Sequence, residues 1–307
     1  MKKFTMKDIA KASDVSIATV SYVLNHNEKE SIPQETRDRI FNIANELNYV
    51  PNLTARSLVK KKSGLIGIIM VTEFKELPPW KRCYYMELFM AIERLLSKKN
   101  YHVLISQIHG ENSRLDIILE RDLDGAFILD VKEDFLYKVS SRLSVPIVLI
   151  DSIIEDTLFH KIIPNFKMAL DLAKLELMEE RPFIVLDSFN NKGILERIKS
   201  YIGENQEDLF QMTTMDNYIK FLECNKNKKG IIFNESLAVI AERYISPSNL
   251  AVICSSGNSF FIHKDSKKII FDNNTKAEIA VKILLEYIDQ QYYNDKYTFV
   301  NPVCNKD

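Results

Sequence analysis

The chain has 307 residues, with 46% hydrophobic and 27% charged residues and a formal net charge of −1. That is enough length for two or three domains with sizeable cores, in an ordinary globular composition. The near-neutral total argues against a uniformly basic nucleic-acid binder, and the longest apolar runs, such as Leu65–Val71, are too short to span a bilayer.

Charge is unevenly spread. Residues 1–62 carry eleven basic and seven acidic side chains, a net +4, and the remainder carries −5. A basic head before an acidic body is the footprint expected of a DNA-binding head. The opening MKKFTMKDIAK is followed by no apolar segment of signal-peptide type, and Cys83, Cys224, Cys254 and Cys304 form no CxxC pair. The expectation is a cytoplasmic protein with reduced thiols and no membrane partner. Five scattered His suggest no metal set, and no cofactor is expected.

Three short helices are predicted over residues 5–48. The first, TMKDIAKAS, has Thr5 as its cap and Asp8 at capping-box spacing. Asp14 suits the left-handed turn that follows. The second, VSIATVSYVLN, is capped by Ser16, although its β-branched and hydroxyl residues are poor helix formers. The third opens at Pro33, with Ile40, Ile43, Ala44 and Leu47 on one face. Pro51 ends it, and Asn52 caps a short helix over Leu53–Val59 that trails into Lys60–Lys62.

After Gly64 the pattern alternates between strand and helix. Strands are predicted at LIGIIMV, HVLISQI, GAFILDV, PIVLID, PFIVLD, KGIIFN, LAVICS and KKIIF. Helices are predicted at Tyr85–Ser97, Phe166–Met178, Asn217–Glu223 and Thr275–Ile288, among others. Apolar strands alternating with helices imply βαβ units and parallel sheets covered on both faces. At this size two similar lobes are expected.

A helix, a tight turn and a second capped helix form a helix-turn-helix. Val15, Val20, Val23 and Leu24 suit the packed face. Ser16, Thr19, Ser21 and Asn25 can bond phosphates or base edges, Ile17 and Ala18 can touch thymine methyls, and Tyr22 can reach either.

The segments TMKDIAKASDVSIATVSYVLN, IPQETRDRIFNIANELNYVPN and ARSL together resemble the DNA-binding head and hinge of the LacI family of bacterial transcription regulators. The resemblance implies a helix-turn-helix domain over 1–50, a hinge over 51–62 and an effector-binding and dimerisation domain over 63–307. That body is similar to the periplasmic-binding-protein type I fold, α/β with parallel sheets in two lobes, about 63–160 plus 272–292 and about 161–271 plus 293–307. By position, Ile17, Ala18 and Tyr22 read bases. Thr5, Ser16, Thr19, Ser21, Asn25 and Thr36 grip phosphates or neighbouring bases. Tyr49, Asn52, Ala55 and Arg56 complete the DNA contacts, and Leu58 takes the place of the side chain that wedges into the minor groove. The family often has Arg at position 22 and Gly at 14.

The implied function is a homodimeric, sequence-specific regulator, most simply a repressor of carbohydrate genes, bound to a pseudo-palindromic operator in double-stranded DNA. The body departs further from the family. Phe189–Leu195 holds Lys192 but no Arg, and Ser255 or Ser256 stands where an Asp is usual. The chain has only eight Gly, which tight βα turns often need. A free-sugar effector is therefore less expected than another ligand or none. Trp80, Tyr84, Asp151, Asn165, Lys192, Asn234 and Ser256 are the candidate cleft residues. The alternatives are a ligand-free body controlled by a protein partner, and a small-molecule-binding protein with a vestigial head. No GxSxG, GxxxxGK[ST] or GxGxxG motif suggests an enzyme.

Overall fold

The computed structural model describes residues 4–24, 31–47, 62–72, 79–109, 121–203, 208–291, 293 and 295–304. The amino-terminal head is three helices: α1 Met6–Ser13, α2 Ile17–Leu24 and α3 Gln34–Glu46. Thr5 and Asp8 form the reciprocal capping box, and Asp14 closes α1 in the left-handed region at φ 51°. A small core of Ile9, Ala10, Val20, Val23, Leu24, Ile40 and Ala44 holds the three together. The weak propensity of α2 is thus outweighed by the burial of one face.

The rest of the chain builds two six-stranded sheets. The strands are β1 Leu65–Thr72, β2 His102–His109, β3 Gly125–Leu129, β4 Ile147–Ile150, β5 His160–Pro164, β6 Phe183–Leu186, β7 Leu209–Gln211, β8 Gly230–Phe233, β9 Leu250–Cys254, β10 Lys267–Ile270, β11 Tyr297–Val300 and β12 Val303–Cys304. The body helices are α4 Pro79–Ser97, α5 Glu133–Ser140, α6 Phe166–Leu177, α7 Lys192–Ile202, α8 Met215–Cys224, α9 Glu235–Ala241 and α10 Asn273–Ile288. The first sheet runs β11-β5-β4-β3-β1-β2 and the second β12-β10-β9-β8-β6-β7. All pairings are parallel except β10 with β12.

The central strands of each sheet are buried on both faces, which is why they read as continuous apolar runs. In the first lobe α4 and α10 cover one face and α5 the other. In the second, α6 and α7 cover one face and α8 and α9 the other. The lobe limits need one correction. Residues 161–164 and 297–300 were expected in the second lobe, yet β5 and β11 pair with each other and with β4 in the first sheet. Only β12 returns to the second. These strands were missed because each is short and follows a polar loop.

Gly230 shows how tightly the second sheet is packed. A Cβ there would lie 2.0 Å from the ring of Phe183, which is fully buried and pairs with it across the ladder. Gly230→Ala is expected to destabilise the body by about 1–3 kcal/mol through overpacking, read by urea unfolding. Adding Phe183→Leu should recover part of the loss, and equal losses in the single and double variants would show that the ring is not the obstacle.

Candidate nucleic-acid interface and interlobe cleft

The exposed side of α2 collects the residues expected to read DNA. Ser16, Ile17, Ala18 and Tyr22 are exposed, and Thr19 and Ser21 are half-buried. Ile17 is 49% and Tyr22 37% exposed, while Val20 and Val23 on the opposite side are fully buried. Large apolar groups held in solvent on an eight-residue helix, with a buried stripe behind them, call for a partner surface. Ser16 Oγ accepts from the Thr19 amide at 3.0 Å and pairs with the Thr19 hydroxyl at 2.8 Å, which fixes the first turn. Thr5 is exposed at the start of α1 and Thr36 half-buried in the first turn of α3. Helix starts present backbone N–H groups suited to phosphate. Asn25, Tyr49, Asn52, Ala55, Arg56 and Leu58 lie outside the described residues, as does the side chain of Trp80.

In the body, a cavity of about 70 Å³ lies between the lobes. It is bounded by Lys81, Tyr84, Tyr85, Asp130, Asp151 and Lys276 from the first lobe, and by Asp187, Asn234, Ser255 and the rings of Phe166, Phe189, Phe233 and Phe271 from the second. Asp130, Asp151, Asp187, Asn234 and Ser255 each stand one residue beyond the carboxyl end of a parallel strand. Open α/β sheets place their sites at these strand ends. Three of the five have positive φ: Asp130 at 45°, Asp151 at 52° and Asn234 at 92°. Here the shortage of glycine has a structural meaning, because Asp and Asn occupy left-handed turns that Gly commonly fills, and so put polar side chains there.

Two ion pairs dominate. Lys276 Nζ donates to Asp151 at 3.1 Å and to the Tyr84 hydroxyl at 2.9 Å, and Tyr84 donates to Asp151 to close the triangle. Lys81 Nζ lies 3.4 Å from Asp130 Oδ2, to which Tyr85 also donates at 3.0 Å. Burial first, and the neighbouring carboxylates second, push both phenols well above the ordinary tyrosine range, so they remain proton donors.

Three of the expected cleft residues, Tyr84, Asp151 and Asn234, meet at this cavity. The others do not. Asn165 caps α6, accepting from the Met168 amide, and donates to Asn301. Lys192 is exposed on the first turn of α7. Ser256 is turned toward a second recess with Glu87 and Asn273, and Ser255 takes the place at the cavity. Lys81, Tyr85, Asp130, Asp187 and Lys276 were missed. Asp130 and Asp187 were legible by the strand-end rule that picks out Asp151, whereas nothing local marks Lys81 or Lys276, helical lysines that resemble any surface cation.

A helix-turn-helix head ahead of a two-lobed, doubly wound body defines a DNA-binding regulator. Residues 5–52 match the model of "Bacterial regulatory proteins, lacI family". The catabolite control protein A of Staphylococcus epidermidis is 24% identical over 305 residues, covering 94% of this chain and 88% of that one. The ribose operon repressor of Haemophilus influenzae is 27% identical over 179 residues, 57% of this chain and 51% of its own length. Among solved structures, the lac repressor dimer bound to operator and the anti-inducer ONPF superimposes with a TM-score of 0.62 at 18% identity, covering 99% and 98% of the two chains. The transcriptional regulator CelR in complex with cellobiose gives 0.63 at 13% identity, with the same coverage. The head matches the lacI-family model and the chain as a whole is similar to regulators of that family, which supports a DNA-binding transcriptional regulator.

Proposed function

We propose that the protein is a homodimeric repressor that binds a pseudo-palindromic operator in the cytoplasm, with α2 of each subunit in a major groove and Leu58 of each hinge in the minor groove between them. The observation that carries this reading is the outward display of Ile17, Ala18 and Tyr22 on a helix whose opposite side is buried. Methyl groups and a phenol stand where a guanidinium fork would read guanine, so thymine methyls and groove shape weigh more in the preferred sequence. Thr5, Ser16, Thr19, Ser21, Asn25 and Thr36, with Tyr49, Asn52, Ala55 and Arg56, anchor the backbone.

Support for a second copy comes from α4 and the sheet edge. Met86 and Met90 lie one turn apart at 53% and 63% exposure, and Ile105 on edge strand β2 is 49% exposed. An apolar stripe at a sheet edge suits burial against its own copy. Regulated sugar genes are the simplest target, in keeping with the ribose and cellobiose in the names of the relatives. Modulation passes through the body by changing how the lobes sit beneath the two heads.

Leu58→Ala tests the minor-groove wedge. Operator affinity should fall about tenfold or more with the circular-dichroism melt of the protein unchanged, because the wedge acts only on bent DNA. Equal affinity in a fluorescence-anisotropy titration at fixed salt would remove Leu58 from the interface.

A further inference from the structure

The lobes of this body are stitched together by the chain itself. Asp130, at the end of β3 in the first lobe, accepts the backbone N–H of Asn191 at 2.9 Å and of Asn190 at 3.4 Å, both at the start of α7 in the second lobe. Asn190 Nδ2 donates back to the Val71 carbonyl at 3.1 Å and Asn191 Nδ2 to the Val131 carbonyl at 2.7 Å. Asn191 Oδ1 accepts the Ile153 amide at 3.1 Å. Lys81 of the first lobe reaches over the ring of Phe189 of the second, 5.7 Å from its centroid. Gly193 lets α7 approach, since a Cβ there would fall 2.6 Å from the Ile153 carbonyl oxygen.

These bonds use up the polar groups a ligand would need. The Asp130 carboxylate already has four donors: Lys81, Tyr85 and the Asn190 amide on Oδ2, and the Asn191 amide on Oδ1. Asp151 is held by Lys276 and Tyr84. Asn234 donates to Asp187 and accepts from the Ser236 amide. The space left, about 70 Å³, is below the roughly 150 Å³ that takes up benzene, and a hexose is larger than benzene.

We infer that the body is closed by its own side chains, with Asp130 seated where a soluble ligand would otherwise bridge the lobes, so that closure needs no small-molecule effector. The inference deepens the reading of the body as the regulatory part of a DNA-binding protein and rests on it only for the consequence at the operator. The closed form is then the resting form, and regulation must act by opening it or by altering the amount of protein.

Amide hydrogen exchange of the full chain, read by mass spectrometry on the peptide that carries Asn190 and Asn191, tests the closure. Without additives the peptide should exchange slowly, and pentoses, hexoses, their phosphates and purine bases at millimolar concentration should neither slow it further nor raise the melting temperature. Asp130→Ala should speed exchange about tenfold or more. Gly193→Ala should do the same although alanine is the better helix former, and it keeps the test informative if Asp130→Ala fails to fold. Unchanged exchange in Gly193→Ala and in folded Asp130→Ala, or a compound that slows exchange and raises the melting temperature, overturns the inference. Operator binding is titrated on the same sample, and its absence in the unsubstituted protein refutes the DNA-binding reading while leaving the exchange result intact.

Discussion

Val20→Asp is expected to abolish specific operator binding, by about 1,000-fold or more, down to the non-specific level. Val20 is wholly buried in the head core: it is 0% solvent-accessible and packs among Ile9, Val23, Leu24, Ile40 and their neighbours. A carboxylate placed there has no partner, and an unpaired buried charge costs several kcal/mol. A core of seven buried residues has little stability to spare. The head should therefore unfold while the body, with its own cores, keeps its thermal transition. Tyr22→Ala is the contrasting case. Its side chain is 37% exposed and outside that core, so the head should stay folded while affinity falls by about 1–3 kcal/mol and the preference at one base changes. Footprinting with calorimetry on both variants checks the pair. An intact footprint with Val20→Asp would mean that α2 is not the DNA-reading element.

Lys276→Ala should cost the body about 3–5 kcal/mol, because it strands a buried carboxylate. Lys276 is 1% and Asp151 9% exposed, and the amine is bonded to both Asp151 and Tyr84. Its charge also sits 5.1 Å from the centroid of the Tyr84 ring. Asp151→Asn alone should be costly for the mirror-image reason, leaving an unpaired ammonium. Lys276→Ala combined with Asp151→Asn should lose much less than the two single changes added together, since neither charge is then abandoned. Urea unfolding of the four proteins gives the coupling directly. Strict additivity would show that the pair does not act as a unit.

The head was the most legible part of the chain. The capping box at Thr5 and Asp8, the left-handed Asp14 and the buried stripe of α2 are local features, set by residues a few positions apart, and all are found. The strands of both sheets were legible where long apolar runs mark burial on two faces. The short β5, β7, β11 and β12 were not, since two to five residues beside polar loops carry no period. The cleft was legible only in part, for a different reason. Asp151 and Asn234 stand out at strand ends, but Lys81 and Lys276 gain their role from side chains far away in sequence, which no local pattern encodes. The lack of glycine was visible in the composition. Its meaning, that Asp130, Asp151 and Asn234 take left-handed turns and line the cavity, depends on backbone geometry.

On the proposed function, α2 of two subunits reads a symmetric DNA site. Selection of bound fragments from genomic DNA by the full-length protein, followed by footprinting of the enriched sites, tests it most directly. The expected result is one saturable motif of two inverted half-sites, rich in thymine at the positions facing Ile17 and Ala18, with affinity falling steeply as salt rises. Enrichment of no motif, or of a single unpaired half-site at full affinity, would contradict it.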